Sequence, residues 1–192
     1  MSQTGRLEII IAGRGGQGIL LAGYLLGKAL VSRGYYVVNS ETYSAETRGG
    51  FSRSDLIVFR SEEDLDLIKV RKADIAIFMY KEQMYSYSDL VSPNPKLVLI
   101  DSTFTDKPVK PWPNTFMVPF TRLAEEATGT YRVANIYMLG VFSYMTGMID
   151  LDTLKETIKT TVNPRWRDLN LKAAEAGYKY ASEHLGKVEL SF

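Results

Sequence analysis

The chain has no cysteine. That excludes disulfides, thiolate nucleophiles and any Fe–S cluster held by its own thiolates. It has one histidine, His184, near the C-terminus in a polar helical context, so a His-based dyad elsewhere is excluded too. Net charge is close to nil, +1 from 23 basic and 22 acidic residues, which gives no electrostatic pull toward nucleic acid or an acidic membrane. No apolar run approaches the length of a membrane span, and Met1 to Arg6 lacks an apolar signal region. There are no repeats, low-complexity stretches or linkers. The expectation is one cytoplasmic domain over residues 1–192, long enough to bury a core without disulfide or metal staples.

What is present alternates between short β-branched runs and helical periodicity. The predicted strands are Leu7–Ala12, Tyr35–Asn39, Ser54–Arg60, Asp74–Met79, Lys96–Ile100 and a shorter Thr115–Val118. Predicted helices span Ile19–Leu30, Glu82–Leu90, Thr121–Ala127, Asn135–Thr146, Leu151–Thr161 and Arg167–Leu185. Asp64–Ile68 reads as a short crossover and Ser40–Arg53 as a polar, glycine-bearing loop. The fold class is therefore α/β: a Rossmann-like, doubly wound, mostly parallel sheet with helices on both faces.

The first strand runs straight into Gly13-Arg14-Gly15-Gly16-Gln17-Gly18. Gly13, Gly15 and Gly18 satisfy G-x-G-x-x-G, a turn that allows close backbone approach and presents a helix N-terminus to an anion. Taken alone the motif is weak. A dinucleotide site also needs an acid at the end of the second strand, and here Asn39 stands there with Glu41 two residues on, so this requirement is only half met. Gln17 is equally readable as a solvated first-turn residue, the reading favoured on the residues alone.

A second element, Glu46-Thr47-Arg48-Gly49-Gly50, follows the second strand, on the sheet edge that also carries the glycine turn. The Arg48 guanidinium can fork onto a phosphate or carboxylate, or pair with Glu46 as a structural salt bridge. Gly49 and Gly50 permit close approach of another chain, and Ser52 adds a hydroxyl. Asn135 opens an apolar helix, where N-capping is its simplest role. Asp101 ends the fifth strand at the same edge. Tyr80, Tyr85 and Tyr87 read as sheet-covering side chains, and Met138, Met145 and Met148 as core. The acidic run from Glu62 to Asp66 has no metal-ligand spacing.

Four ordered segments together resemble one family: the glycine turn with its following helix, Glu46-x-Arg48-Gly49-Gly50-Phe51-Ser52-Arg53-Ser54, Arg132-Val133-Ala134-Asn135-Ile136, and Leu169-Asn170-Leu171-Lys172-Ala173-Ala174-Glu175-Ala176-Gly177-Tyr178. From Leu7 to about Tyr178 the chain is similar to the γ subunit of 2-oxoacid:ferredoxin (flavodoxin) oxidoreductases. That family commonly carries Tyr-Gly-Pro-Glu-Ala-Arg-Gly-Gly, whereas this chain has Tyr43-Ser44-Ala45-Glu46-Thr47-Arg48-Gly49-Gly50. The loss of Gly-Pro alters the stiffness of the loop.

The resemblance implies a multi-subunit enzyme that decarboxylates a 2-oxoacid to acyl-CoA. Thiamine diphosphate, Mg²⁺, Fe–S clusters and coenzyme A belong to the assembly, and none is bound by this chain alone. Expected partners are the α and β subunits, a ferredoxin-like δ subunit where one exists, and ferredoxin or flavodoxin as acceptor. Nucleic acid is not expected, and self-association of the isolated chain is allowed for. No residue is assigned a catalytic role. Gly13, Gly15, Gly16, Gln17, Gly18, Glu46, Arg48, Gly49, Gly50, Ser52 and Asn135 are expected to face a partner subunit or coenzyme A. Two other readings stay open: a stand-alone dinucleotide-binding redox protein, and a purely structural interaction subunit.

Overall fold

A computed structural model describes residues 5–44, 50–61 and 69–190. Its frame is β1(Arg6–Arg14), whose Leu7–Gly13 stretch is buried, as the apolar run demands. Period two divides this strand between two cores: Leu7, Ile9 and Ile11 face one layer, Ile10 and Ala12 the other. Each fully buried aliphatic side chain there contributes roughly 1.5–3 kcal/mol of transfer free energy.

On one side β1 pairs in parallel with β4(Ile75–Phe78), which leads to β5(Leu97–Asp101) and β6(Thr115–Val118), again in parallel. On the other side the chain departs from a doubly wound sheet. β2(Tyr36–Tyr43) and β3(Phe51–Phe59) form an antiparallel pair, and β3 also runs antiparallel to β1. The sheet order is β2-β3-β1-β4-β5-β6. The sequence places a loop over Ser40–Arg53, but the strands extend through much of it, to Tyr43 and from Phe51. Polar side chains at Asn39, Ser40, Glu41 and Thr42 are compatible with a strand here because β2 lies at the solvent-exposed border.

The helices cover the two faces unequally. α1(Ile19–Ser32), α3(Phe120–Thr128), α4(Ala134–Thr146), α5(Leu151–Thr161) and α6(Pro164–His184) share the larger core with Leu7, Ile9 and Ile11. The opposite face is covered by α2(Lys81–Tyr87), the 3₁₀ turn Ser88–Leu90 and Trp112, which stacks on Phe78. Met138, Met145 and Met148 are core residues as expected. α4 carries almost no polar face because α6 packs against its outer side. At that crossing a Cβ on Gly140 would collide with the Ala174 carbonyl, and one on Gly177 with the Tyr137 carbonyl. The terminal Ala-x-Ala-Gly run is thus the contact that lets two helix backbones approach.

Helix starts follow local chemistry. Asp150 caps α5, its carboxylate accepting from the Thr153 N–H at 2.7 Å. α6 begins at Pro164, ahead of the predicted Arg167, because the Asn163 side chain accepts from the Arg165 N–H and proline suits the first helical position. Among the described residues no helix is long and apolar enough to cross a membrane. The predicted crossover Asp64–Ile68 lies outside the described residues.

Candidate functional site

The C-terminal end of β1 delivers the chain into Gly15–Gly18, and distant segments lock that turn. The Gly15 N–H donates to the Gly50 carbonyl at 2.6 Å, joining the two glycine motifs directly. Gln17 is not solvated, contrary to the reading from the residues alone. Its Oε1 accepts from the Arg14 N–H at 2.7 Å, and its Nε2 donates to the Met79 carbonyl at 3.0 Å. Met79 follows β4, and its own N–H donates to the Ala12 carbonyl at 2.8 Å. One amide thus ties the turn to the mouth of the neighbouring strand, where a shorter side chain would leave polar groups unpaired.

Gly18 is the N-cap of α1, with φ near 70°, and no side chain caps the helix. The carbonyl of Gly18 accepts from the Ala22 N–H at 3.0 Å and from Asn135 Nδ2 at 2.9 Å. Asn135 therefore does not cap α4. That helix starts one residue earlier, after the 3₁₀ turn Tyr131–Val133, and the buried amide instead holds the start of α1. A Cβ on Gly18 would lie 2.5 Å from the same amide nitrogen, so both backbone conformation and space demand glycine.

Gly13, Gly15, Gly16, Gln17, Gly18, Gly50, Ser52 and Asn135 are thus brought to one end of the sheet. Ser52 sits in register opposite Gly13 on one side and Tyr43 on the other. Glu46, Arg48 and Gly49 lie outside the described residues. Asn39 is interior to β2, its Oδ1 accepting from the Ser54 hydroxyl at 2.9 Å, so it does not mark a ribose-binding strand end.

Around the turn opens a cleft with two lobes that share Gly16 and Arg132. The larger, about 350 Å³, is bounded by Leu21, Val133, Trp166 and Leu169 with the amides of Asn135 and Asn170. The smaller, about 190 Å³, is bounded by Arg14, Gln17, Tyr80, Phe104, Thr121 and Tyr131. Arg14 lies over the Tyr80 ring at 5.5 Å, and Tyr80 packs on Phe104 at 4.9 Å between centroids. Two guanidinium groups and no carboxylate line these lobes among the described residues. The cleft favours an anionic group next to an aromatic or apolar body.

Arg132, Trp166, Phe104 and Tyr131 line the cleft without being marked as site residues by the sequence. Arg132 had a signal, since it opens the Arg132-Val133-Ala134-Asn135 segment. Of the three tyrosines read as sheet cover, Tyr80 lines the cleft and Tyr85 is exposed. Tyr87 packs beneath the Arg53 guanidinium at 4.6 Å. Arg53 forks onto Asp55 through Nε and Nη2 at 2.7 and 2.9 Å. Burial nevertheless pushes the Asp55 carboxyl above the usual range, with Arg53 opposing it.

Asp101 does not reach the cleft. Its Oδ1 accepts from the Thr103 N–H, and its Oδ2 from the Thr121 N–H and hydroxyl, so the side chain braces the first turn of α3. Burial raises its pKa, and these hydrogen bonds oppose the rise. Among the described residues no cluster of three or more His, Asp or Glu could hold a metal ion. With no cysteine in the chain, its donor set does not fit an Fe–S cluster.

The model of the pyruvate ferredoxin/flavodoxin oxidoreductase family matches residues 8–180. The chain is 34% identical over 184 residues to the 2-oxoglutarate synthase subunit KorC of Methanothermobacter marburgensis, covering 93% of this chain and 98% of that one. It is 31% identical to ketoisovalerate oxidoreductase subunit VorA of Methanothermobacter thermautotrophicus, but spans 37% of that protein. Among solved structures, the keto/oxoacid ferredoxin oxidoreductase γ subunit of Geobacter sulfurreducens superposes with a TM-score of 0.79 at 27% identity, over 93% of this chain and 98% of that one. With motifs, fold and full-length matches in agreement, the chain belongs to the pyruvate ferredoxin/flavodoxin oxidoreductase family, in its γ-subunit class.

Proposed function

We propose that this chain forms the part of a 2-oxoacid:ferredoxin (flavodoxin) oxidoreductase where the partner subunits and coenzyme A meet. The observation that carries this reading is the joining of the glycine turn to Gly50 and Asn135 at one sheet end, beside a cleft lined by Arg14 and Arg132. The α and β subunits are its partners, with ferredoxin or flavodoxin as acceptor. Thiamine diphosphate on a partner subunit supplies the decarboxylation chemistry, and partner cysteines hold the Fe–S clusters.

This chain's own residues bind and orient. Gly16, Gly18 and the uncapped start of α1 offer N–H groups and a positive dipole end to phosphate oxygens, while the Gly15 and Gln17 N–H groups hold the turn itself. Arg132 stands where both lobes open and suits an anion there, while Tyr80, Phe104 and Tyr131 suit a flat ring. Arg48, with Gly49 and Gly50, is proposed to meet a partner chain or coenzyme A. Among oxoacids, 2-oxoglutarate has the strongest support, because the full-length relatives at 34% identity carry that substrate in their names.

The test is Arg48→Ala and Arg132→Ala in the assembled enzyme. The expected result is intact assembly with a KM for coenzyme A raised about tenfold, as loss of a charge-assisted contact implies. Unchanged coenzyme A kinetics in both variants would leave only the structural, subunit-packing role.

A further inference from the structure

β2 is the outermost strand, and among the described residues nothing pairs with its outer edge. Natural sheets blunt such edges with short strands, bulges, proline or lysine. The opposite border strand, β6, has four residues. β2 has eight, runs in unbroken register with β3 from Tyr36↔Phe59 to Tyr43↔Ser52, and contains no proline, glycine, lysine or arginine. Tyr36 and Tyr43 on this strand are 40% and 66% exposed. A row of backbone donors and acceptors is therefore open to another strand.

α1 continues the surface. Its Gly23 rides over Ser54 and its Gly27 over Leu56 of β3, with Asn39 and Val37 of β2 next to them. Tyr24 and Val31, seven residues apart and so on one helix face, are both more than half exposed. They sit on the helix flank next to these two glycines.

We propose that this border is a self-association surface, with β2 pairing antiparallel to β2 of a second copy across a dyad at Ser40. A dyad normal to the sheet keeps each face on its own side, so only residues of one face sit opposite each other. Charge and side-chain fit then select the centre. Centring on Glu41 sets two carboxylates against each other, and centring on Asn39 sets Glu41 against Val37. Centring on Ser40 sets Glu41 against Asn39, Val38 against Thr42 and Val37 against Tyr43, a favourable β-branched–aromatic pair. The same dyad runs the two α1 helices antiparallel, bringing Tyr24 and Val31 of both copies together above the joined sheets. The cleft around the glycine turn takes no part in this pairing, so the proposal stands or falls separately from the proposed function.

The absence of cysteine makes the test clean. Sedimentation of the isolated full chain reports its mass, and single substitutions Ser40→Cys and Glu41→Cys report register by oxidative cross-linking. Opposed Cβ atoms stand about 5 Å apart, so Ser40→Cys should cross-link at least roughly tenfold faster than Glu41→Cys, and Ser40→Lys should dissociate a wild-type dimer. A far-UV circular dichroism spectrum of Ser40→Lys that matches wild type shows that the fold is kept. A wild-type chain that stays monomeric at about 100 μM, equal cross-linking of the two cysteine variants, or a dimer unaffected by Ser40→Lys would overturn the proposal.

Discussion

Gln17 and Asn135 hold the glycine turn from two directions, so each should matter more to stability than an exposed amide does. Gln17→Ala leaves the Arg14 N–H and the Met79 carbonyl without their partner. Urea unfolding is expected to show a loss of about 1–3 kcal/mol. Gly18→Ala forces a left-handed alanine against Asn135 and should cost roughly 2 kcal/mol or more by the same measurement. Asp101 has a pH signature. Burial holds its folded pKa above the ordinary 3.8, as it does for Asp55 and Asp74. Below 3.8 their share of stability is fully present, and it is lost as pH rises through the folded values. The exposed Asp89 and Asp150, with lowered pKa values, act the other way and lose their share only below 3.8. The urea midpoint should therefore rise over the interval in which pH falls from neutral towards 3.8. A steady fall across that interval would contradict the assignment.

Among the elements, α4 and α6 meet backbone to backbone. Gly177→Ala should open that crossing and cost about 1–3 kcal/mol, read by thermal and urea unfolding, whereas an alanine at the exposed Gly186 should be neutral. Which elements could be read from the residues follows from where their information lies. Leu7–Ala12 and Asn135–Thr146 were legible because burial writes long apolar runs. The outer half of β2 was not, since an edge strand needs no apolar residues beyond those that meet its neighbour. Nor was the reversed direction of β3, because Leu56-Ile57-Val58-Phe59 reads the same in a parallel or an antiparallel sheet. The inward turn of Gln17 depends on Met79, 62 residues away, and the cleft walls at Phe104, Tyr131 and Trp166 come from three separate segments. Spacing along the chain says nothing of such meetings. Their local halves, Gly13–Gly18 and Arg132–Asn135, were readable.

At the scale of the molecule, five helices bury one face of the sheet, α2 and Trp112 cover the other, and the glycine turn opens at one end between them. That arrangement suits a chain that lends a shaped, positively charged wall to an active site completed by others. The central claim is that this wall works within a 2-oxoacid oxidoreductase. The most direct measurement is a native purification of the tagged chain from its own cells, with absorbance and oxoacid-dependent dye reduction recorded on the eluate. The expected eluate is a brown complex that reduces dye when given 2-oxoglutarate and coenzyme A. A colourless, partner-free protein that binds a nicotinamide dinucleotide would contradict it.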